Sequence, residues 1–423
     1  MLKKIGKSPI TLPNILLPQS NIDMSKWAVI ACDQFTSQPS YWEDLKAFIQ
    51  HEPSTYHMVL PEVYLDQMTT NMIDQINQTM SVYLNEGLLT SIGPSMILVE
   101  RTTHYLQQRL GLIMNIDLEA YSYEPNTKPL IRTTEKTIVE RIPPRLMVRQ
   151  NALIELTHVM LLVDDDRFNI IEKLYERKDE FDLCYDFKLN MDGGHIRGYQ
   201  IKDCDQIIHD FLRFIENDED PLLFIVGDGN HSLATAKAHW ETLKKTLKPE
   251  EIKTHPARFA MVEVVNLYDN GLDFEGIHRV LFDVDESFVK ELQSAIDKEY
   301  ATNIYDNQER QHSLFIPRNA AVAYEQIQRF IDAYLEKHPN ASIDYIHGEQ
   351  EVIEVCRNHP NTIGIIMPKI EKKEIFPFIK QGKVLPRKSF SMGSATAKRY
   401  YLESQLITNQ DPMKGDLSHE KDL

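Results

Sequence analysis

Four cysteines in 423 residues, Cys32, Cys184, Cys204 and Cys356, are widely scattered, with no Cys-x-x-Cys pair and no histidine at zinc-finger spacing. That pattern argues against a disulfide framework and against a structural zinc site. None of the four has a base beside it in sequence, so none reads as a nucleophile. Cys32, which follows the apolar run Trp27–Ala31, reads as a small buried hydrophobe.

Long apolar runs are also missing: none approaches a membrane span, and Met1–Ser8 lacks the apolar core of a signal peptide. The expectation is a cytoplasmic protein with no membrane contact. Positive charge is short, with 46 Lys and Arg against 63 Asp and Glu for a formal net charge of −17, and no dense Lys/Arg run offsets it. Such a surface repels a nucleic-acid backbone, so no nucleic-acid partner is expected. A small anionic substrate is compatible, because its pocket needs only a few local cations and a helix N-terminus. There is no internal repeat and no Walker-type phosphate loop.

What is present, 42% hydrophobic and 26% charged residues, describes a globular protein too long for one ordinary core. Strands are expected at Trp27–Cys32, Val159–Val163, Phe259–Val265 and Asn361–Met367, a hairpin or meander at Met96–Arg101 and Gly111–Asp117, and a hairpin at Leu183–Ile201. Helices are expected from Pro143 to Ile154, Phe168 to Lys178, Asp205 to Ile215, Asp285 to Tyr300 and Ala320 to His338. Without a strict βαβ rhythm, this reads as a mixed α/β (α+β) architecture and not as a Rossmann sheet. The expected segments are an N-terminal α/β part, 1–92, a β-rich and helical part, 93–220, a motif-bearing α/β part, 221–407, and a polar, disordered tail, 408–423. A homo-oligomer is compatible with the sequence.

The densest signal is Pro221-Leu-Leu-Phe-Ile-Val-Gly-Asp-Gly-Asn-His-Ser232, running into a helix-like stretch to Trp240. An apolar strand that breaks at Gly227-Asp228-Gly229 and leads into a helix presents first-turn N–H groups and the positive end of the helix dipole, which suit a phosphate. Asp228 and His231 stand there for proton chemistry. The same residues admit a structural reading in which Asp228 caps the helix, Gly227 and Gly229 take positive φ, and His231 lies on the surface.

Other clusters carry paired readings. Arg132-Thr-Thr-Glu-Lys-Thr137, with Arg141 and Arg145, clamps a phosphate with Glu135 as base, or is a solvated strand edge. Asn266, Asp269, His278 and Arg279 fall at strand ends, where ligand contacts gather. Arg387-Lys388-Ser389 offers two cations and a hydroxyl. Asp164-Asp165-Asp166 holds a magnesium ion or caps a helix, and Asp33-Gln34 ends the first strand.

In order along the chain, Trp27-Ala-Val-Ile-Ala-Cys-Asp-Gln34, Ile131-Arg-Thr-Thr-Glu-Lys-Thr137, Phe224-Ile-Val-Gly-Asp-Gly-Asn-His231, Gly271-Leu-Asp-Phe-Glu-Gly-Ile-His-Arg279 and Leu385-Pro-Arg-Lys-Ser-Phe390 resemble the landmarks of the "domain of unknown function 1015" family. Its motif is similar to the phosphate-binding turn of the ParB/sulfiredoxin superfamily, which includes free-serine kinases. The resemblance implies a ParB/sulfiredoxin-like core and phosphoryl transfer between serine or phosphoserine and ATP or ADP with Mg2+. Backbone amides from Gly229 to His231 would hold a phosphate, Asp228 would help hold the metal, and His231 or Glu135 would take the proton. Arg387 and Lys388 would neutralise the transferred group. This chain has Asn230 where the family has a first histidine and Ser232 where it has arginine, so either Lys237, Arg132, Arg141 or Arg387 replaces that clamp or nucleotide affinity falls. The alternative is a nucleotide-binding regulatory module without catalysis.

Overall fold

Period-two apolar strands with both faces covered build the centre of this protein. In the computed structural model, which describes residues 8–36, 38–103, 108–272, 274–308, 311–393 and 395–409, Met96 and Leu98 join one apolar cluster while Ile97 and Val99 join another. The same split recurs on Phe259–Asn266, where Val262 and Val264 point one way and Met261 the other. Strands buried on both sides read as continuous apolar runs, as these do.

The chain divides into two units. The first comprises Met1–Thr133, Thr137–Leu272 and Ser394–Leu423, the second Thr134–Lys136 and Asp273–Gly393, so the cuts fall elsewhere than at 92 and 220. Among the described residues, the first unit holds a ten-stranded mixed sheet. Its order is Asp182–Lys188, His195–Ile201, Met96–Thr102, Arg109–Asp117, Phe259–Asn266, Met160–Val163, Phe224–Asp228, Ile131–Thr133, Tyr121–Ser122, with Ile10–Thr11 also on Arg109–Asp117. Parallel pairing is confined to Met160–Val163 with Phe259–Asn266 and to the Phe224–Asp228, Ile131–Thr133 and Tyr121–Ser122 end. That mixture makes the architecture mixed α/β, as expected. The second unit holds a six-stranded sheet whose described pairings are all antiparallel, with the helices Ala320–Lys337, Glu349–Asn358 and Lys372–Lys380.

The antiparallel pair Met96–Thr102 with Arg109–Asp117 and the Leu183–Ile201 hairpin form where expected. Several helix ends do not. The helix opened by Pro143 stops at Arg149, and Ile154 begins a strand, Ile154–Leu156. The helix expected over 285–300 is Phe288–Ala295, because its buried positions are only Phe288 and Leu292 and Ile296 is already extended. Phe168–Lys178 is reduced to Ile171–Glu176, and Trp27 closes a short helix, leaving Val29–Ile30 as strand. The tail expected to be disordered lies, from residue 410 on, outside the described residues.

A buried charge network fixes the last stretch of the first unit. Arg101 donates to Gly193 O, Thr396 O and Lys398 O, and Arg109 donates to Ala397 O. Arg399 Nε lies 3.1 Å from Glu263 Oε2, and its guanidinium also meets Glu403. Tyr185 donates to Glu403 in turn. Four successive residues, Thr396 to Arg399, are thus pinned by side chains from distant strands. Removing one partner of a buried pair leaves an uncompensated charge, so Arg399→Met should cost about 3–5 kcal/mol in urea unfolding. A loss below about 1 kcal/mol would show that Glu263 and Glu403 do not depend on it.

Candidate functional site

The Phe224–Asp228 strand owes its burial to Phe224, Ile225 and Val226 and ends in a bulge. Met160 pairs with Asp228 and Leu161 with Val226, so Gly227 is skipped in the register. Gly227 therefore stays in the strand and does not take the positive φ expected of it. Gly229 does, at φ 79°, and a Cβ there would lie 3.1 Å from Val159 Cα. Glycine is needed at this one position for both reasons. It is also the N-cap of the Asn230–Leu243 helix, to which it brings no capping side chain. Leu233, Ala236 and Trp240, at helical spacing, anchor that helix in the core.

Asp228 does not cap the helix. Its Oδ1 accepts from the Gly229 N–H at 2.9 Å, and its Oδ2 lies 3.1 Å from Lys398 Nζ. Burial pushes the Asp228 carboxyl up, but Lys398, the Gly229 N–H and His158 together outweigh it and hold the group below its ordinary range. Asn230 Oδ1 accepts from Thr133 Oγ1 at 2.6 Å, which ties the helix start to the neighbouring parallel strand. His231 Nε2 accepts from the Ile138 N–H at 3.3 Å. That lone pair is therefore engaged, which removes the nitrogen from the base role expected for it. Ser232 Oγ lies 2.8 Å from His158 Nε2.

The expected cations are placed differently. Arg132 is buried and donates to Asp220 and to the carbonyls of Pro129 and Pro221, at the opposite end of its strand from Thr133 and Asn230. Lys237 donates to Leu118 O and pairs with Glu241. Arg141 is exposed and stands at the N-cap of the Ile142–Arg149 helix. The cation beside Asp228 is Lys398, which sequence reasoning missed together with His158. The signal for His158 is a histidine directly before a buried strand. Lys398 has no local signal, since its position comes from the arginine contacts to the carbonyls around it.

The second unit gathers Glu135, His278, Arg279, Arg387 and Lys388. Glu135 accepts from the N–H groups of Ser389 (3.2 Å) and Lys388 (3.4 Å). Burial pushes its carboxyl up against the pull of those donors and of Lys388 and Arg279. Arg279, 0% exposed, sits over the Tyr324 and Tyr345 rings and donates to Gln328 and to the carbonyls of Ile277, Lys388 and Arg387. Its fork shapes the Arg387–Ser389 turn, while Arg387 donates to the Tyr345 hydroxyl. His278 Nδ1 accepts from the Met367 N–H, and burial lowers its pKa, which favours the neutral ring.

The remaining candidates meet partners of their own. Asp165 accepts from the N–H groups of Asn169 and Ile170, Asp164 accepts from Tyr268, and Asp33 accepts from Gln34. Asn266 donates to Asp165 O, and Asp269 accepts from the Leu110 and Gly271 N–H groups. Cys32 is held by the Tyr401 hydroxyl, and burial pushes its thiol up to about 12.

For the expected Mg2+, the motif supplies one carboxylate, Asp228, with both oxygens engaged. No group of three or more His, Cys, Asp or Glu able to hold a metal occurs among the described residues. These residues do not fit a resident Mg2+; the positive charge beside Asp228 is an ammonium. A phosphate fits better, since a helix N-terminus and a lysine are both donors it accepts.

A family model described as "Protein of unknown function (DUF1015)" matches residues 16–344. No curated protein matches the chain. Similar solved structures include a free serine kinase in complex with AMP, at 10% identity over 70% of this chain and 92% of that one, with a TM-score of 0.37. A conserved hypothetical protein from Pyrococcus furiosus is 9% identical over 70% and 95%, with a TM-score of 0.36. SbnI with a C-terminal truncation, from Staphylococcus aureus, is 8% identical over 66% and 82%, also at 0.36.

Asp228 gives a pH test. Its folded pKa lies below its ordinary 3.8, so the ion pair contributes stability above that value and loses it as pH falls through the folded one. Asp228→Asn should therefore destabilise by about 1–3 kcal/mol at pH 7. The gap from wild type should close as melts are taken below pH 3.8; a gap independent of pH would show that the carboxylate charge is not what matters.

Proposed function

Because the chain belongs to the DUF1015 family, whose description assigns no activity, we propose a function from the motif itself: phosphate binding in the service of phosphoryl transfer. The substrate class is a small phosphorylated or hydroxylated metabolite. The observation that supports it is the start of the Asn230–Leu243 helix, where an N-cap glycine leaves the first turn without a capping side chain and Lys398 stands beside Asp228. The helix dipole and the ammonium both favour an anion there.

Each side chain then has a role that its contacts favour. Lys398 neutralises phosphate charge, and Asp228, held ionised, orients the ammonium and serves as neither acid nor strong base. Gly229 lets the backbone turn toward the bound group. The arginine contacts to the carbonyls of Thr396, Ala397 and Lys398 fix the backbone that carries the ammonium, and Asp228 holds its Nζ, before any ligand arrives, which lowers the ordering cost of binding. ATP, ADP and phosphoserine are the phosphate carriers that the motif resemblance suggests.

Thermal melts with inorganic phosphate, ATP, ADP, serine and phosphoserine, with and without EDTA, test this reading. A ligand at a hundred times its dissociation constant should stabilise by about 2.7 kcal/mol. Phosphate-bearing ligands should shift the melt with EDTA present, serine should not, and Lys398→Met should abolish the shift. No shift with any of them, or an equal shift in the variant, would refute the reading. Phosphorus NMR then separates transfer from a nucleotide-binding regulatory module, which would shift with nucleotide and form no product.

A further inference from the structure

Ser232 and His158 make a pair that phosphate binding alone does not need. Ser232 is the third residue of the Asn230–Leu243 helix, so its hydroxyl belongs to the first turn. His158 Nε2, 2.8 Å from Ser232 Oγ, is the nitrogen in position to take its proton. The imidazole is 9% exposed and packs edge-on against the Tyr401 ring, with centroids 5.1 Å apart. Tyr401 is fixed in turn, because its hydroxyl donates to Cys32 Sγ at 3.0 Å and accepts from the Cys32 N–H at 3.3 Å. The Asp228 carboxylate lies within electrostatic range of His158. A hydroxyl, an oriented imidazole, a nearby carboxylate and a helix N-terminus are the parts of an activated serine. The plain alternative is that Ser232 only satisfies a buried ring nitrogen.

We propose that Ser232 is a covalent nucleophile toward a phosphoryl group bound at this helix start, with His158 as its general base. A bond forms between Ser232 Oγ and phosphorus while the bond from phosphorus to the leaving oxygen breaks. The leaving group departs with that electron pair, and the Ser232 proton passes to His158 Nε2. Water or the hydroxyl of a second substrate then attacks the phosphorus of phosphorylated Ser232, and the bond from phosphorus to Oγ breaks with its electron pair. Oγ takes back the proton held on His158 Nε2, and the attacker's proton passes to solvent. The proposal rests on the phosphate reading of the same site.

The test uses the full chain and diisopropyl fluorophosphate, whose fluoride leaves when an activated serine attacks, read by intact mass and peptide mapping. The expected result is one adduct on Ser232, absent in Ser232→Ala, formed about a hundredfold more slowly in His158→Gln, and slowed by millimolar inorganic phosphate. No adduct on Ser232 in folded wild-type protein overturns the proposal even if phosphate still raises the melting temperature. An adduct that phosphate does not slow supports the nucleophile and overturns the phosphate reading. Should His158→Gln fail to fold, the adduct in wild type and its loss in Ser232→Ala decide the matter.

Discussion

The interaction on which the rest of the first unit depends is the buried contact set of Arg101, Arg109 and Arg399 with Glu263, Glu403 and a run of backbone carbonyls. Ionised groups removed from water are tolerated only when geometry and extra hydrogen bonds compensate them. Here the compensation is also positional. Carbonyls that accept from arginine cannot be moved without exposing a charge to an apolar core, so the backbone carrying Lys398 is held as firmly as a strand. Even the neighbouring strand is shaped to it: a Cβ on Gly111 would come within 2.2 Å of Glu263 Oε1, so the sheet leaves that volume to the carboxylate.

The second unit solves a like problem with one arginine. Arg279 lies between two tyrosine rings and takes the carbonyls of Lys388 and Arg387, which leaves the N–H groups of Lys388 and Ser389 directed at Glu135. Lys388 adopts φ 57° in this turn, a left-handed conformation that a non-glycine residue holds only when its surroundings impose it. The two units therefore share a device, in which a desolvated guanidinium fixes a backbone turn by its carbonyls.

The strands of this fold were legible because burial on both faces writes itself as uninterrupted Val, Ile, Leu and Met, as in Phe259–Asn266. Helix ends were less so. Pro143 marked a start well, yet nothing local says that Arg149 ends the helix and Ile154 joins a sheet, since that strand exists only by pairing with Ser404–Leu406. At the motif, Gly229 followed from turn chemistry. Gly227 did not, because a bulge depends on the partner strand's register. His231 and Arg132 carried the right chemistry for a site, but each meets a partner nearer to it, the Ile138 amide and Asp220. Lys398 and His158 were missed for the converse reason: Lys398 sits in no pattern, a lone histidine ahead of a strand is a weak sign, and both acquire meaning from contacts made far along the chain.

That separation has a consequence for the order of events. Arg101 meets the carbonyl of Lys398 across 297 residues of sequence, and Tyr401 meets Cys32 across 369. Closing such long loops is slow relative to forming local helices and hairpins. A ribosome releasing this chain from its N-terminus exposes the glycine turn, its helix and most of the sheet long before the lysine that completes them. The motif is thus born without its cation, and a chain cut short before residue 395 would keep the turn yet lack Lys398 and Tyr401 together.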